Sequence, residues 1–161
     1  MNNQYTNALT PEILAEMAES PFTAEQLAKM DDEALRVIEE QTAYNLQHPV
    51  NAIFRLATEG SLTRKGGVVR AVYSGLEIEL EDGSRVNVAR EGDEAVYPDG
   101  GTARIISGAG KASQYQERSV ALVGSALDNG DEIVSTPQAS CYKVTRAGIA
   151  PEEDFLTVAG A

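Results

Sequence analysis

The sequence predicts a mainly β protein preceded by a short α-helical extension, and three observations carry that expectation. The hexamer Leu56-Ala57-Thr58-Glu59-Gly60-Ser61 recurs as Val88-Ala89-Arg90-Glu91-Gly92-Asp93 and again as Val120-Ala121-Leu122-Val123-Gly124-Ser125. The copies start at 56, 88 and 120, so each lies 32 residues after the last. A self-similar unit at a fixed period marks a repeat architecture, and three copies suffice to bury a shared core. The second observation is punctuation by Asp82-Gly83, Asp99-Gly100-Gly101 and Asn129-Gly130, each followed by a strand-like run. The third is a change of period near residue 50, from helical spacing to alternation. Residues 1–49 are expected as an acidic helical extension and residues 50–161 as one β body of three related units.

The extension is read in three pieces. Thr10-Pro11-Glu12 places a capping hydroxyl before a proline at the first helical position, with Ile13, Leu14 and Met17 on one face and an end near Ser20-Pro21. Thr23-Ala24-Glu25-Gln26 matches a capping box, in which the threonine side chain and the glutamine three residues on satisfy each other's backbone donors. Asp31-Asp32-Glu33 sets negative charge on the positive end of a third helix, whose apolar positions are Leu35, Val37 and Ile38 and which Pro49 cannot continue. Helices this short bury little alone, so they either cover a sheet edge or dock on a partner.

In the β body, Ile53-Phe54-Arg55-Leu56-Ala57 and Val68-Val69-Arg70-Ala71-Val72-Tyr73 read as strands. Leu76-Glu77-Ile78-Glu79-Leu80 alternates strictly, turns at Asp82-Gly83 and resumes through Arg85-Val86-Asn87-Val88, which predicts a hairpin with the two glutamates toward water. Strands are expected at 102–107 and 132–135. Each hexamer reads as a strand end entering a turn whose glycine takes a positive φ. The turn glycines are Gly60, Gly66, Gly67, Gly92, Gly100, Gly124 and Gly130, and Arg90, Asp93, Val120 and Asp131 are candidates for the interfaces between units. The tail from Pro151, with Phe155, Leu156 and Val158, either closes the β body or docks elsewhere.

Charge and composition narrow the function classes. The formal net charge is −12, with nine acids against Lys29 and Arg36 in residues 1–49 and sixteen against eleven bases in the rest. Such a surface is repelled by phosphate backbones, which makes nucleic acid a poor partner. The longest apolar runs, such as Val120-Ala121-Leu122-Val123, fall far short of the roughly 20 residues of a spanning helix. The polar opening Met1-Asn2-Asn3-Gln4-Tyr5 lacks the charged and apolar regions of a secretory signal, so the expected location is cytoplasmic, with any export left to another machine. One cysteine, Cys141, excludes a disulfide scaffold.

Val88-Ala89-Arg90-Glu91-Gly92-Asp93 followed by Tyr97-Pro98-Asp99-Gly100, and then Val120 through Asp131, resembles the PAAR-repeat proteins, and Arg55 through Gly67 resembles that family's first unit. The likeness spans residues 53–140 and keeps the order of all three units. It implies a compact β cone with pseudo-threefold character that caps the blunt end of a trimeric, VgrG-like β-helical spike in type VI secretion. The implied function is a structural, non-enzymatic tip that sharpens the spike for membrane piercing, one copy per trimer, with an effector or adaptor attached through residues 1–49. The alternatives are the tip of a phage or other contractile tail, or a small secreted effector carried by its PAAR-like body.

The resemblance also implies zinc near the apex on three histidines and a cysteine, and here the sequence departs. Lys65 stands where the family carries histidine before Gly-Gly, Tyr97-Pro98 occupies a region that often carries another ligand, and the single histidine, His48, precedes the β body. Cys141 alone matches, and one thiolate does not make a four-ligand site. The expectation is a tip without zinc, held by packing and hydrogen bonds. Other motifs carry no chemistry. Gly108-Ala109-Gly110-Lys111 lacks the first glycine of a phosphate loop and has Ala after the lysine. Glu152-Glu153-Asp154 reads as a solvated helix start, and Asp128-Asn129-Gly130-Asp131 as a turn with Asx hydrogen bonds.

Overall fold

The computed structural model describes residues 3–158. Strand residues outnumber helical ones, in several small sheets with three α-helices. The helices are α1 (Pro11–Ala18), α2 (Ala24–Ala28) and α3 (Asp32–Gln47). The strands are β1 (Val50–Arg55), β2 (Leu62–Thr63), β3 (Val68–Arg70), β4 (Glu77–Glu79), β5 (Arg85–Asn87), β6 (Glu94–Val96), β7 (Thr102–Arg104), β8 (Gln114–Tyr115), β9 (Arg118–Ser119), β10 (Ile133–Ser135) and β11 (Tyr142–Arg146). Among the described residues no helix is long and apolar enough to cross a membrane.

The chain divides into two compact units: Met1–Asn7 with Phe54–Lys143 and Pro151–Ala161, and Ala8–Ile53 with Val144–Ala150. This membership differs from a division at residue 50. Tyr5 pairs with Thr136, so the start of the chain belongs to the β unit. Residues 144–150 belong with the helices, where the Ala147 amide donates to the Pro49 carbonyl and Thr145 Oγ1 donates to Asn51 Oδ1.

The helical unit is built on caps. Thr10 Oγ1 accepts from the Ile13 amide, Thr23 and Gln26 form the reciprocal capping box, and Asp31 Oδ1 accepts from the Ala34 amide. These bonds satisfy amides that a helix start leaves without intrahelical partners. None of the three helices contains a buried residue. His48 ends α3, and its Nδ1 donates to the Ala147 carbonyl oxygen at 2.9 Å while its ring lies against Tyr44.

The β unit is organised around the three hexamers. Ala57 donates to the Ala121 carbonyl, Ala121 to Ala89, and Ala89 to Ala57, at 2.9, 2.8 and 2.9 Å, so three amides and three carbonyls close a ring. Bridges Thr58↔Val88, Arg90↔Val120 and Leu56↔Leu122 flank it. All three alanines are fully buried. Only a small side chain permits backbones to approach this closely at the centre of a core.

Each hexamer then turns in the same way. The amides of Ser61, Asp93 and Ser125 donate to the carbonyls of Thr58, Arg90 and Leu122, and the glycine between takes φ of +89°, +95° and +109°. The side chains of Ser61, Asp93 and Ser125 accept in return from the amides of Thr58, Arg90 and Leu122, each at 2.9 Å. A hairpin follows every turn, anchored where Val69 donates to Ser61, Ile105 to Asp93 and Ile133 to Ser125. The anchors are eight, twelve and eight residues apart, so the middle hairpin is longer by four residues, two in each arm.

The hairpins pair side by side. The sheet runs β10-β2-β3-β6-β7, and bridges Ile105↔Leu127 and Ala126↔Glu132 carry it from β7 through the third hairpin back toward β10. Hydrogen bonding thus passes from each hairpin to the next and leaves little free edge. Inside lie Val69, Ile105 and Ile133, then Ala95, Ala103 and Leu127, with the alanine ring as their floor. On the other side of the ring, Val88, Val120 and Leu122 join Ile78, with Phe54, Phe155 and Leu156 packed against them. The tail therefore closes the β unit. It forms turns at 153–156 and no helix from 152, and the Asp154 carboxylate accepts from the Lys111 amide.

Candidate functional site

The hairpin ends come together through a polar cluster. Their turns are built alike: the amides of Gly66, Gly100 and Gly130 donate to the carbonyls of Thr63, Tyr97 and Leu127, with φ of +90°, +87° and +85° at the glycines. Gly67 is the exception among the expected turn glycines. Its φ is not in the left-handed region, and the constraint is a close approach: a Cβ there would lie 2.9 Å from both Thr63 Oγ1 and the Tyr97 ring.

Asp131, in the third hairpin, is the centre of the cluster. Its Oδ2 accepts from Tyr97 Oη of the second hairpin at 2.6 Å. Its Oδ1 accepts from the Lys65 amide of the first at 3.0 Å and from the Glu132 amide at 2.8 Å. Asn129 Nδ2 donates to Tyr97 Oη, and Lys65 Nζ donates to the Asn129 carbonyl. Burial pushes the Asp131 carboxyl up, but hydrogen bonds from the Thr63 and Tyr97 hydroxyls and from the Glu132 and Lys65 amides outweigh it and hold its pKa below the ordinary value. Burial, and the bond to Asp131, raise the Tyr97 phenol.

The residues at this point do not fit the zinc ion that the resemblance implies. Both Asp131 oxygens already accept from N–H and O–H groups, and Lys65 and Tyr97 bring a cation and a protonated phenol. Among the described residues no group of three or more His, Cys, Asp and Glu converges. Cys141 is half-buried elsewhere, against the lower core, and its carbonyl accepts from the Leu56 amide.

Of the other expected interface residues, Val120 bridges to Arg90. Asp93 closes its own turn, and burial pushes its carboxyl above the ordinary value despite the Arg90 amide and the charges of Arg90 and Arg118. Arg90 stands where the other hexamers have Thr58 and Leu122. Its guanidinium lies 4.1 Å from the Tyr73 ring centroid, its Nη1 donates to the Tyr115 carbonyl, and its buried Nε has no hydrogen-bond partner. The aromatic face, the Tyr115 carbonyl and the charge of Asp93 together hold this cation.

A shallow cleft of about 420 Å³ lies beside the second hexamer, lined by Glu91, Gly92, Ile105, Arg118, Ser119 and Val158 among others. Burial and the neighbouring Asp154 raise the Glu91 carboxyl, but no histidine or cysteine lines the cleft.

The polar cluster was only partly visible in sequence. Lys65 and Tyr97 stood out as departures from a family pattern, Asp131 as an interface candidate and Asn129 as a turn residue, whereas Thr63 carried no signal. Comparison with family models, with curated proteins and with solved structures gives no match.

Proposed function

We propose that the β unit is a PAAR-like tip, a small cone that caps a trimeric, VgrG-like spike, one copy per trimer, and sharpens it for membrane piercing. The observation that carries this reading is the closed ring of Ala57, Ala89 and Ala121, with the same turn and side-chain cap repeated at each hexamer. A trimeric β-helix ends in three equivalent open strand edges, and one chain with three like segments can meet all three at once. The likeness of the hexamers to PAAR repeats supports the same conclusion. In this role the protein is structural, is made in the cytoplasm and leaves with the machine that fires it.

The acidic helical unit, whose three helices bury none of their residues, is the part free to engage an effector or adaptor. A tip on a phage or other contractile tail would use the same geometry. The deciding experiment is the stoichiometry of the complex with the trimeric spike protein from the same source, by native mass measurement. One copy per trimer is expected, and three copies or no complex would overturn the reading.

A further inference from the structure

We propose that the Asp131 carboxylate is the clasp of the three hairpin ends, a single acceptor that fastens them together where the family resemblance implies a metal ion. Each hairpin delivers a donor to it: the Lys65 amide from the first, Tyr97 Oη from the second, and the Glu132 amide from its own. Asp131 is 3% exposed, so bulk water competes little for these bonds. A buried carboxylate without a cation in contact is costly unless its oxygens are filled, and here both are.

Position supports the assignment. The corresponding residue is Gly67 in the first hairpin and Gly101 in the second, each following the turn glycine, so only the third hairpin carries a side chain there. One carboxylate reaches three turns, and three would repel one another in the same space. Tyr97 supplies reach. The second hairpin is the longest, and its phenol spans the gap to Asp131 while Asn129 Nδ2 donates to the same oxygen. Gly67 leaves room for that ring, since a Cβ would meet it at 2.9 Å.

The clasp acts locally, and its failure therefore has a local signature. Amide hydrogen exchange in the full chain, followed residue by residue, is the test. In Asp131→Ala, which removes the shared acceptor, exchange at Lys65 and Glu132 is expected to rise by about tenfold or more, and in Tyr97→Phe, which frees Oδ2 and loosens the carboxylate, by a smaller factor, with Ala57, Ala89 and Ala121 as protected as before. Treatment of the wild-type protein with EDTA should leave the same amides and the melting temperature unchanged. Should Asp131→Ala unfold the chain, Tyr97→Phe alone decides, because it removes one hydroxyl and keeps the ring. Unchanged exchange at Lys65 and Glu132 in Tyr97→Phe, or an equal rise across the alanine ring, overturns the proposal. So does a fall in wild-type melting temperature on chelation.

Discussion

The two units of this chain solve the problem of backbone polarity in opposite ways. In the helical unit each helix satisfies its own amides, helped by one cap from the residue before it, and no helical residue is buried. In the β unit the amides at the centre are satisfied only by segments 32 or 64 residues away, as Ala57, Ala89 and Ala121 bond in a circle. The first arrangement forms quickly and holds weakly; the second requires long loops to close before any reward arrives. Stability should therefore reside in the ring and the hairpins above it, with the helices able to change or melt at little cost to the rest.

Ile105→Ala is the severest way to break that contrast. The side chain is 1% exposed within the upper core, and its removal should cost about 3 kcal/mol, seen as a lower denaturant midpoint of the whole β unit. Gly124→Val forces a branched side chain to φ +109° beside Leu156 and should cost about 2 kcal/mol or more. An unchanged melting temperature in that variant would refute the turn geometry. Asp31→Ala, by contrast, removes the cap of α3 and should cost about 1 kcal/mol of helix stability by far-UV circular dichroism, with the alanine-ring amides equally protected. Loss of ring protection there would mean the units unfold as one.

The smallest effect sharpens a comparison among the hexamers. Asp93→Ser installs the cap that Ser61 and Ser125 already use and should change stability at neutral pH by no more than about 1 kcal/mol. Its pH dependence is more telling. Because burial raises the Asp93 pKa in the folded state, its contribution is complete below the ordinary value of 3.8 and is lost as pH rises through the raised one. The serine variant should lack that decline. Asp131 has the reverse sign: its lowered pKa contributes stability above 3.8 that is lost as pH falls through the folded value. Melting curves of Asp93→Ser and Asp131→Asn across the acid range should thus diverge from wild type in opposite directions.

Much of the fold was legible because its signals are local. The 32-residue period, the capping box at Thr23 and the Asp82-Gly83 hairpin each concern neighbouring backbone groups, and six of the seven expected turn glycines have positive φ. What the sequence hid was pairing at a distance. Nothing in Gln4-Tyr5-Thr6-Asn7 announces that Tyr5 will pair with Thr136 or that Asn7 will bond to Val123 and Arg55. The clasp was hidden for the same reason. Asp131 reads both as a candidate between units and, beside Asn129-Gly130, as a turn residue whose amide the Asn129 side chain accepts from, but nothing local names Tyr97 and Lys65 as its partners. At Gly67 the need for glycine is steric crowding by a tyrosine 30 residues away, which looks, in sequence, like any other turn glycine.

The unequal hairpins hint at how such a body can be rebuilt. The middle one carries four more residues between the same two anchoring bonds, yet those bonds keep the lengths of their counterparts, 2.8 Å at Ile105 against 2.8 and 3.0 Å at Val69 and Ile133. Two residues added to each arm preserve the alternation of inward and outward side chains, so the insertion is invisible to the ring. The protrusions are in effect interchangeable parts on a standard fitting. Foreign sequence in even increments at Asp99-Gly100 would ride on the molecule as freight, its fit decided at the hairpin ends and not at the base.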